Sequence, residues 1–139
     1  MSEEKTILEI LENERNVAVV GLSEKSDRDS YRVAKYLQEN GFKIIPVNPA
    51  FKEWNGLKAY PSVSDAAREN RIDIVDIFRK SEAVPEIVRD AITARPKTVW
   101  MQIGVRSDEG KRIAEENGIK VIMDRCMMEE HRKHRVGVA

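Results

Sequence analysis

Short apolar runs alternate with longer stretches of helical periodicity along almost the whole chain. The runs are rich in β-branched residues, and most are apolar at nearly every position rather than at every second one. Such runs are typical of parallel strands that are buried on both faces, whereas the intervening stretches carry an apolar stripe along one side of a helix. The predicted strands cover residues 16–20, 43–47, 72–78, 98–101 and 119–123.

This order of elements predicts one class of fold. Each connection between strands is long enough to hold a helix, so neighbouring strands can pair in parallel. Right-handed crossovers then distribute the helices over both faces of the sheet. We therefore expect an α/β protein with a doubly wound, mainly parallel five-stranded sheet, formed by residues 1–139 as a single domain.

Apolar stripes and capping residues place the helices. An amino-terminal helix within residues 1–15 is expected to bury Ile7, Leu8 and Leu11, and the next helix to begin at Asp27 or Asp29. A glycine after an apolar stripe marks the end of two helices, at Gly41 and Gly118. Further helices are expected to begin at Ser62, Ser81 and Ser107, and a basic helical tail to span residues 127–139.

Composition excludes several classes of function. Lys and Arg number 24 and so do Asp and Glu, so the chain has no overall positive field for nucleic acid or a membrane surface. No apolar run approaches the roughly 18 residues that span a bilayer. Cys126 is the single cysteine and the amino end does not resemble a signal peptide, which together favour a cytoplasmic protein.

Polar residues follow every predicted strand. In an open parallel sheet, ligands bind outside the carboxyl ends of the strands, near the point where the strand order reverses. Glycine, serine, asparagine, arginine and glutamine at these positions suit a ligand that carries phosphate. The segments after the strands are Gly21-Leu22-Ser23, Asn48-Pro49, Arg79-Lys80, Gln102-Ile103-Gly104 and Asp124-Arg125-Cys126.

The first of these segments is a candidate diphosphate site. Gly21 lacks a Cβ and lets the backbone approach a ligand, and Ser23 offers a hydroxyl beside the positive end of the next helix. We therefore expect Gly21→Val to weaken ligand binding and to leave the fold largely intact. Phe51 and Trp54, in the loop after Asn48, are expected either to line an adenine pocket or to cover the core.

Two common nucleotide motifs are incomplete in this chain. A dinucleotide fingerprint needs Gly-x-Gly-x-x-Gly after the first strand and an acidic residue about 20 positions later. Here Gly21 is followed by Ser23, and no carboxylate ends the second strand. The phosphate-binding loop Gly-x-x-x-x-Gly-Lys-Ser/Thr is also missing. An NAD(P)-dependent oxidoreductase is therefore kept as an alternative only.

Few side chains suit catalysis. His131 and His134 are the two histidines of the chain, and both fall in the predicted tail. With Cys126 they could form a metal site, but solvated tail residues are the more common outcome, and we assign no metal and no catalytic residue. Cys126 itself could be a reactive thiol or a small half-buried apolar group, so a redox protein that exchanges disulfides with coenzyme A (CoA) is a second alternative.

With these residues in view, the chain resembles the stand-alone CoA-binding-domain proteins, whose Rossmann-like fold is shared with the amino-terminal domain of the succinyl-CoA synthetase α subunit. The resemblance runs from about Val17 to His131 in six ordered segments. They are Val19-Val20-Gly21-Leu22-Ser23 with Arg28, Pro46-Val47-Asn48-Pro49, Tyr60-Pro61-Ser62, Val75-Asp76-Ile77-Phe78-Arg79, Trp100-Met101-Gln102-Ile103-Gly104-Val105, and Met123-Asp124-Arg125-Cys126 with Glu130-His131.

The resemblance implies that CoA lies across the carboxyl edge, with its diphosphate near Gly21 and with basic contacts from the loop of Arg28. In the synthetases a lysine follows the second strand in a Val-x-Pro-x-Lys pattern, where this chain has Phe51 and then Lys52. The full set of expected binding residues is Gly21, Leu22, Ser23, Arg28, Asn48, Pro49, Phe78, Arg79, Gln102, Ile103, Gly104 and Cys126.

The function that the resemblance implies is binding of CoA or an acyl-CoA, without catalysis by this chain. The synthetases also need a phosphorylated histidine and a nucleotide-binding partner domain, for which a chain of 139 residues has no room. Ligase activity is therefore not implied. We expect a carrier, a sensor, a homo-oligomer or a subunit of a larger acyl-CoA enzyme assembly.

Overall fold

The computed structural model describes residues 2–136, with side chains described through residue 134. Its centre is a five-stranded sheet in the order β2-β1-β5-β6-β7, and every neighbouring pair of strands is parallel. This confirms the predicted doubly wound α/β fold. The strands are β1 (Asn16–Val20), β2 (Lys43–Val47), β3 (Glu53–Trp54), β4 (Leu57–Lys58), β5 (Ile74–Ile77), β6 (Thr98–Met101) and β7 (Lys120–Ile122).

Helices cover both faces of the sheet. The helices α1, α2 and α6 pack on one face and α3, α4 and α5 on the other. No helix within residues 2–136 is long and apolar enough to cross a membrane. Their bounds are α1 (Glu3–Asn13), α2 (Asp29–Glu39), α3 (Val63–Ala67), α4 (Val84–Ala91), α5 (Asp108–Glu116) and α6 (Met127–Val136). The predicted tail thus starts where α6 starts, and its residues 137–139 lie outside the described part.

Each strand contributes to two separate cores, because successive side chains of a strand point to opposite faces. In β1, Val17 and Val19 belong to the core beneath α1, α2 and α6, whereas Ala18 and Val20 belong to the other core. The remaining central strands alternate in the same way. This is why the strands read as continuous apolar runs in the sequence.

The strand order reverses beside β1, which has β2 on one side and β5 on the other. The ends of the three strands are tied together by backbone hydrogen bonds. The amide of Gly21 donates to the carbonyl of Val47 at 3.0 Å, and the amide of Phe78 donates to the carbonyl of Val20 at 2.9 Å. The segments after β1, β2 and β5 therefore meet at one place on the carboxyl edge.

Several predicted boundaries are wrong by a few residues. The strand predicted over 72–78 is limited to β5 and that predicted over 119–123 to β7, because their outer residues already turn into loops. In α1, Ile10 is buried with Ile7 and Leu11, while Leu8 is only half-buried. The long loop after β2 also contains a short antiparallel hairpin, β3–β4, whose two-residue strands carry too little periodicity to be predicted.

Two predicted helix caps are not formed. Arg28, and neither Asp27 nor Asp29, is the residue that precedes α2, and its side chain makes no capping hydrogen bond. Ser81 lies in a short 3₁₀ turn before α4, where its hydroxyl accepts the amide of Arg106 at 2.9 Å. Ser62 and Ser107 do cap α3 and α5, as predicted. Ser81 instead joins the loops after β5 and β6.

The amino edge of the sheet is held by a buried carboxylate. Oδ2 of Asp73 accepts the amides of Arg15 and Asn16 at 3.1 and 3.0 Å, which fixes the start of β1 against β5. Its burial alone would raise the pKa of Asp73. The two amides and the nearby Arg71 and Lys97 outweigh burial and hold this pKa below its ordinary value of 3.8.

Asp73→Ala is expected to lower the free energy of unfolding by roughly 1–3 kcal/mol, because it leaves two amides without their acceptor. Folding lowers the pKa of this carboxyl, so its stabilising contribution is present above the ordinary value of 3.8 and is lost as pH falls through the folded-state pKa. Urea unfolding of both proteins at neutral and acidic pH measures the effect. An equal loss at both pH values would contradict it.

Candidate functional site

Three adjoining cavities lie along the carboxyl edge of the sheet. The first, between α3 and α4, is about 340 Å³, the second, beside the loop before α2, is about 620 Å³, and the third, beside the loop after β6, is about 790 Å³. Gly21 lines the first and second, Phe78 the second and third, and Arg79 the first and third. We call this continuous depression the carboxyl-edge groove, and its parts the α3–α4, α2-loop and β6-loop cavities.

Most of the predicted binding residues line this groove. They come from four loops that are far apart in the sequence and that the parallel sheet brings to one edge. The predicted residues that line the groove are Gly21, Ser23, Arg28, Asn48, Pro49, Phe78, Arg79, Gln102 and Ile103.

Three predicted residues are placed differently. The side chain of Leu22 is fully buried in the core, which leaves its backbone alone near the groove. Gly104 donates its amide to Oδ1 of Asp124 at 2.7 Å, next to the groove residue Ile103. Cys126 lines a further cavity of about 540 Å³ at the β7 edge, which shares Ile103 with the β6-loop cavity and contains the ion pair of Arg106 with Asp124.

The tight turn at Gly21 is needed for the fold itself. Its φ is +84°, a left-handed conformation that side chains disfavour. A Cβ added here would lie 2.6 Å from the carbonyl oxygen of Phe78 and 2.8 Å from Cδ of Arg79. The expectation that Gly21→Val leaves the fold intact is therefore wrong, because the loops after β1 and β5 cross at this point.

Side chains from other elements hold the loop after β1 in place. Asn48 donates from Nδ2 to the carbonyl of Leu22 at 2.9 Å, and Trp54 donates from Nε1 to the carbonyl of Ser23 at 3.0 Å. The amide of Ser23 donates to Oγ of Ser30 at 2.9 Å. Trp54 is thus a core residue that holds the loop after β1 through this hydrogen bond to Ser23. Phe51, in contrast, lines the α2-loop cavity.

Basic side chains are exposed along the groove. Lys25, Arg28, Arg79 and Lys80 are exposed, and none of them forms an ion pair with another described residue. The first turn of α2, with its partial positive charge, also borders the α2-loop cavity. Acidic residues are present there too, but Asp29 is already paired with Arg32. Glu24 and Asp27 also line this cavity, so an anion would meet two exposed cations, Lys25 and Arg28, on a surface of mixed charge.

A buried polar pair lies beside the β6-loop cavity. Gln102, which lines the cavity, donates from Nε2 to Oδ1 of Asp76 at 2.6 Å. Asp76 is completely buried in β5, and this burial raises its pKa to about 7, although the bond from Gln102 acts in the opposite direction. Sequence reasoning did not select Asp76, but a carboxylate inside the apolar run 72–78 was the signal that could have found it.

The family comparison agrees with this geometry. A family model described as a CoA binding domain matches residues 15–132. The chain belongs to the CoA-binding domain family. This CoA-binding domain is 39% identical over 125 residues to the uncharacterised protein YneT of Bacillus subtilis, with 90% of this chain and 91% of that protein covered.

Solved structures share the fold closely. A hypothetical protein from Pyrococcus horikoshii is 39% identical, with a TM-score of 0.90 over 95% of this chain and 92% of that one.

The same CoA-binding domain is similar to part of larger enzymes. It is 30% identical to the α subunit of an ADP-forming acetate–CoA ligase of Pyrococcus furiosus, over 87% of this chain and 28% of the ligase subunit.

Cys126 does not have the environment of a reactive thiol in this CoA-binding domain. Burial raises its pKa, and the charges of Glu129 and Asp76 act in the same direction, against the lowering effect of the amides of Glu129 and Met128. A raised pKa keeps the sulfur protonated and weakly nucleophilic.

The predicted cluster of Cys126 with two histidines is not assembled among the described residues. Nδ1 of His131 lies 2.8 Å from the hydroxyl of Tyr36, and the ring also packs against Phe42. His134 instead lies near Glu4 and Glu130, where ligand-type atoms come within 4.8 Å of one another. That second cluster also holds Lys133, whose ammonium is 3.1 Å from Glu4.

Gly21→Ala is expected to destabilise the CoA-binding domain more than Gly41→Ala. Both glycines have positive φ, but a Cβ at Gly41 would meet nothing within 4 Å, so that variant carries only the conformational cost of roughly 1–2 kcal/mol. Gly21→Ala adds the clash with Phe78. Urea unfolding of the two variants measures the difference, and equal losses would show that the crossing of the loops is not tight.

Proposed function

We propose that this chain binds CoA or an acyl-CoA along the carboxyl-edge groove and carries out no reaction on it. The observation that carries the proposal is the continuity of the groove. Gly21, Phe78 and Arg79 each line two of its three cavities. A long ligand with chemically different parts can therefore occupy all three cavities at once. Family membership supports CoA as that ligand.

The diphosphate is proposed to lie in the α2-loop cavity. Arg28 and Lys25 line this cavity with exposed cationic side chains, and the first turn of α2 adds the partial charge of its amides. Arg28 was predicted for this role, and we propose the same role for Lys25 because it lines the same cavity. Lys52, which stands one position after the lysine of the synthetase pattern, is not among the residues that line the cavity.

The adenine is proposed to lie in the α3–α4 cavity. Its walls include Val20, Val47 and Ile87, which suit the flat apolar faces of a purine. Ser62 and Asp90 also line this cavity and offer polar groups to the edge of the base. Pro49, two residues after the end of β2, lines the same cavity.

The pantetheine arm would then follow the groove past Phe78 toward Gln102. Phe78 is half-buried and lines both the α2-loop and the β6-loop cavities, so it can guide an apolar chain between them. At the end of this path Ile103 is 61% exposed, and it is the one large apolar side chain that is exposed among the described residues.

We propose binding without chemistry because no histidine or cysteine is among the described residues that line the groove. Both histidines are on α6, away from the residues that line the groove, and Cys126 is buried with a raised pKa. Similarity to parts of acetate–CoA ligases supports a role beside a partner that performs acyl transfer. We therefore propose that the chain presents CoA or an acyl-CoA to such a larger assembly.

Calorimetric titration of CoA, dephospho-CoA and NAD tests the assignment. Arg28→Gln is expected to weaken CoA binding roughly three- to tenfold, because it removes a charged contact with the diphosphate. Lys43→Gln is the matched control, since Lys43 is also exposed but begins β2 at the opposite edge of the sheet. Tighter binding of NAD than of CoA, or equal losses in the two variants, would contradict the proposal.

A further inference from the structure

Asp76 and Gln102 form a buried pair whose hydrogen bonding is incomplete. Gln102 is 4% exposed and Asp76 is 0% exposed, and one hydrogen bond of 2.6 Å joins Nε2 of Gln102 to Oδ1 of Asp76. Oδ2 of Asp76 is buried and has no hydrogen-bond partner among the described residues. An unpartnered buried carboxylate oxygen is costly, which calls for an explanation.

The pair determines which end of the glutamine amide faces the groove. An ionised carboxylate only accepts hydrogen bonds, so it holds the NH₂ group of Gln102 toward itself. The carbonyl oxygen Oε1 then points the other way. Within the described residues Oε1 accepts no hydrogen bond, yet it is not one of the fully buried unpartnered atoms, so it reaches the surface of the β6-loop cavity that Gln102 lines.

No other charged side chain compensates Asp76 among the described residues. Val19 and Trp100 flank it in the neighbouring strands, and the helices over this face contribute apolar residues such as Leu37 of α2 and Met127 of α6. Cys126 is a titratable group in the core on this face, and the charge of Asp76 raises its pKa. The hydrogen bond from Gln102 is therefore the main polar interaction that Asp76 has.

We propose that Asp76 is a positioning residue, which turns the carbonyl oxygen of Gln102 toward the groove. The site then selects a ligand that has a hydrogen-bond donor at this position. Binding of this ligand releases a proton from Asp76. The inference rests on the proposed function. The matching donors in CoA are the amide N–H groups of the pantetheine arm and the terminal S–H.

Protonation of Asp76 removes its preference for one orientation of the Gln102 side-chain amide. A neutral carboxyl group can also donate, so its O–H can bond to Oε1 of Gln102 and turn the NH₂ group toward the groove. Because burial raises the pKa of Asp76 to about 7, both states are populated near neutral pH. A ligand that donates to Oε1 favours the ionised state, so its affinity should rise as pH increases through 7.

Nuclear magnetic resonance of the ligand-free protein tests the coupling first. The Asp76 carboxyl carbon and the Gln102 side-chain amide should titrate together in the wild type, with a common midpoint near 7. In Asp76→Asn, which keeps an acceptor for Gln102, the amide signals should not titrate. Constant Gln102 signals while Asp76 titrates would overturn the inference, even if CoA binds as proposed.

Calorimetry with dephospho-CoA then tests the effect on binding, since this ligand lacks the 3′-phosphate, which itself titrates near pH 6. Wild-type affinity should increase roughly two- to tenfold from well below to well above pH 7, with release of a fraction of a proton. Asp76→Asn should remove both effects, and Asp108→Asn, at an exposed position of α5, should keep them.

The outcomes separate this inference from the proposed function. Dephospho-CoA binding with the same pH profile in wild type and Asp76→Asn would overturn the inference and leave CoA binding intact. If no CoA compound binds, the proposed function fails and the ligand-linked part of the inference fails with it, while the resonance titration still decides the coupling. Loss of the pH effect with the acetyl thioester of dephospho-CoA would identify S–H as the donor, and its retention would identify an amide N–H.

Discussion

The crossing of two loops beside β1 is the constraint on which the rest of the site depends. Parallel pairing brings the carboxyl ends of β2, β1 and β5 to one edge, and the chain must then leave β1 without colliding with the segment after β5. Gly21 allows this because its left-handed turn passes the carbonyl of Phe78 where no Cβ would fit. The groove exists because the α3–α4 and α2-loop cavities open on either side of this glycine.

The two edges of the sheet use polar residues in opposite ways. At the amino edge, buried carboxylates face donors and cations of the chain: Asp73 accepts two amides at Oδ2 and forms an ion pair with Arg71 at Oδ1, and Glu14 accepts Thr98 at 2.8 Å and Lys120 at 2.6 Å. At the carboxyl edge, Lys25, Arg28, Arg79 and Lys80 form no ion pair with another described residue, and Asp76 keeps an oxygen without a hydrogen-bond partner. Polar groups that have hydrogen-bond or ion-pair partners within the chain stabilise the fold. Polar groups without such partners are available to a ligand.

The sequence predicted the central part of the fold well because burial on both faces leaves a continuous apolar run. The bounds of β1, β2 and β6 agree with the runs, and the residues that follow them do line the groove. Contacts between distant loops could not be predicted, because their partners are far apart in the sequence. Ser81 bonds across to Arg106, and Trp54 braces Ser23. For the same reason the sequence left open whether Cys126 is a reactive thiol or a half-buried apolar group, and the structure buries it.

The central claim is that CoA occupies the carboxyl-edge groove, and a crystal structure of the complex with CoA tests it most directly. The account predicts continuous density from the α3–α4 cavity, past the loop of Gly21 and Arg28, to the side chain of Gln102. CoA bound at the amino edge near Asp73, or confined to the cavity beside Cys126 with none in the carboxyl-edge groove, would contradict the claim, because neither place uses the meeting point of the three strand ends.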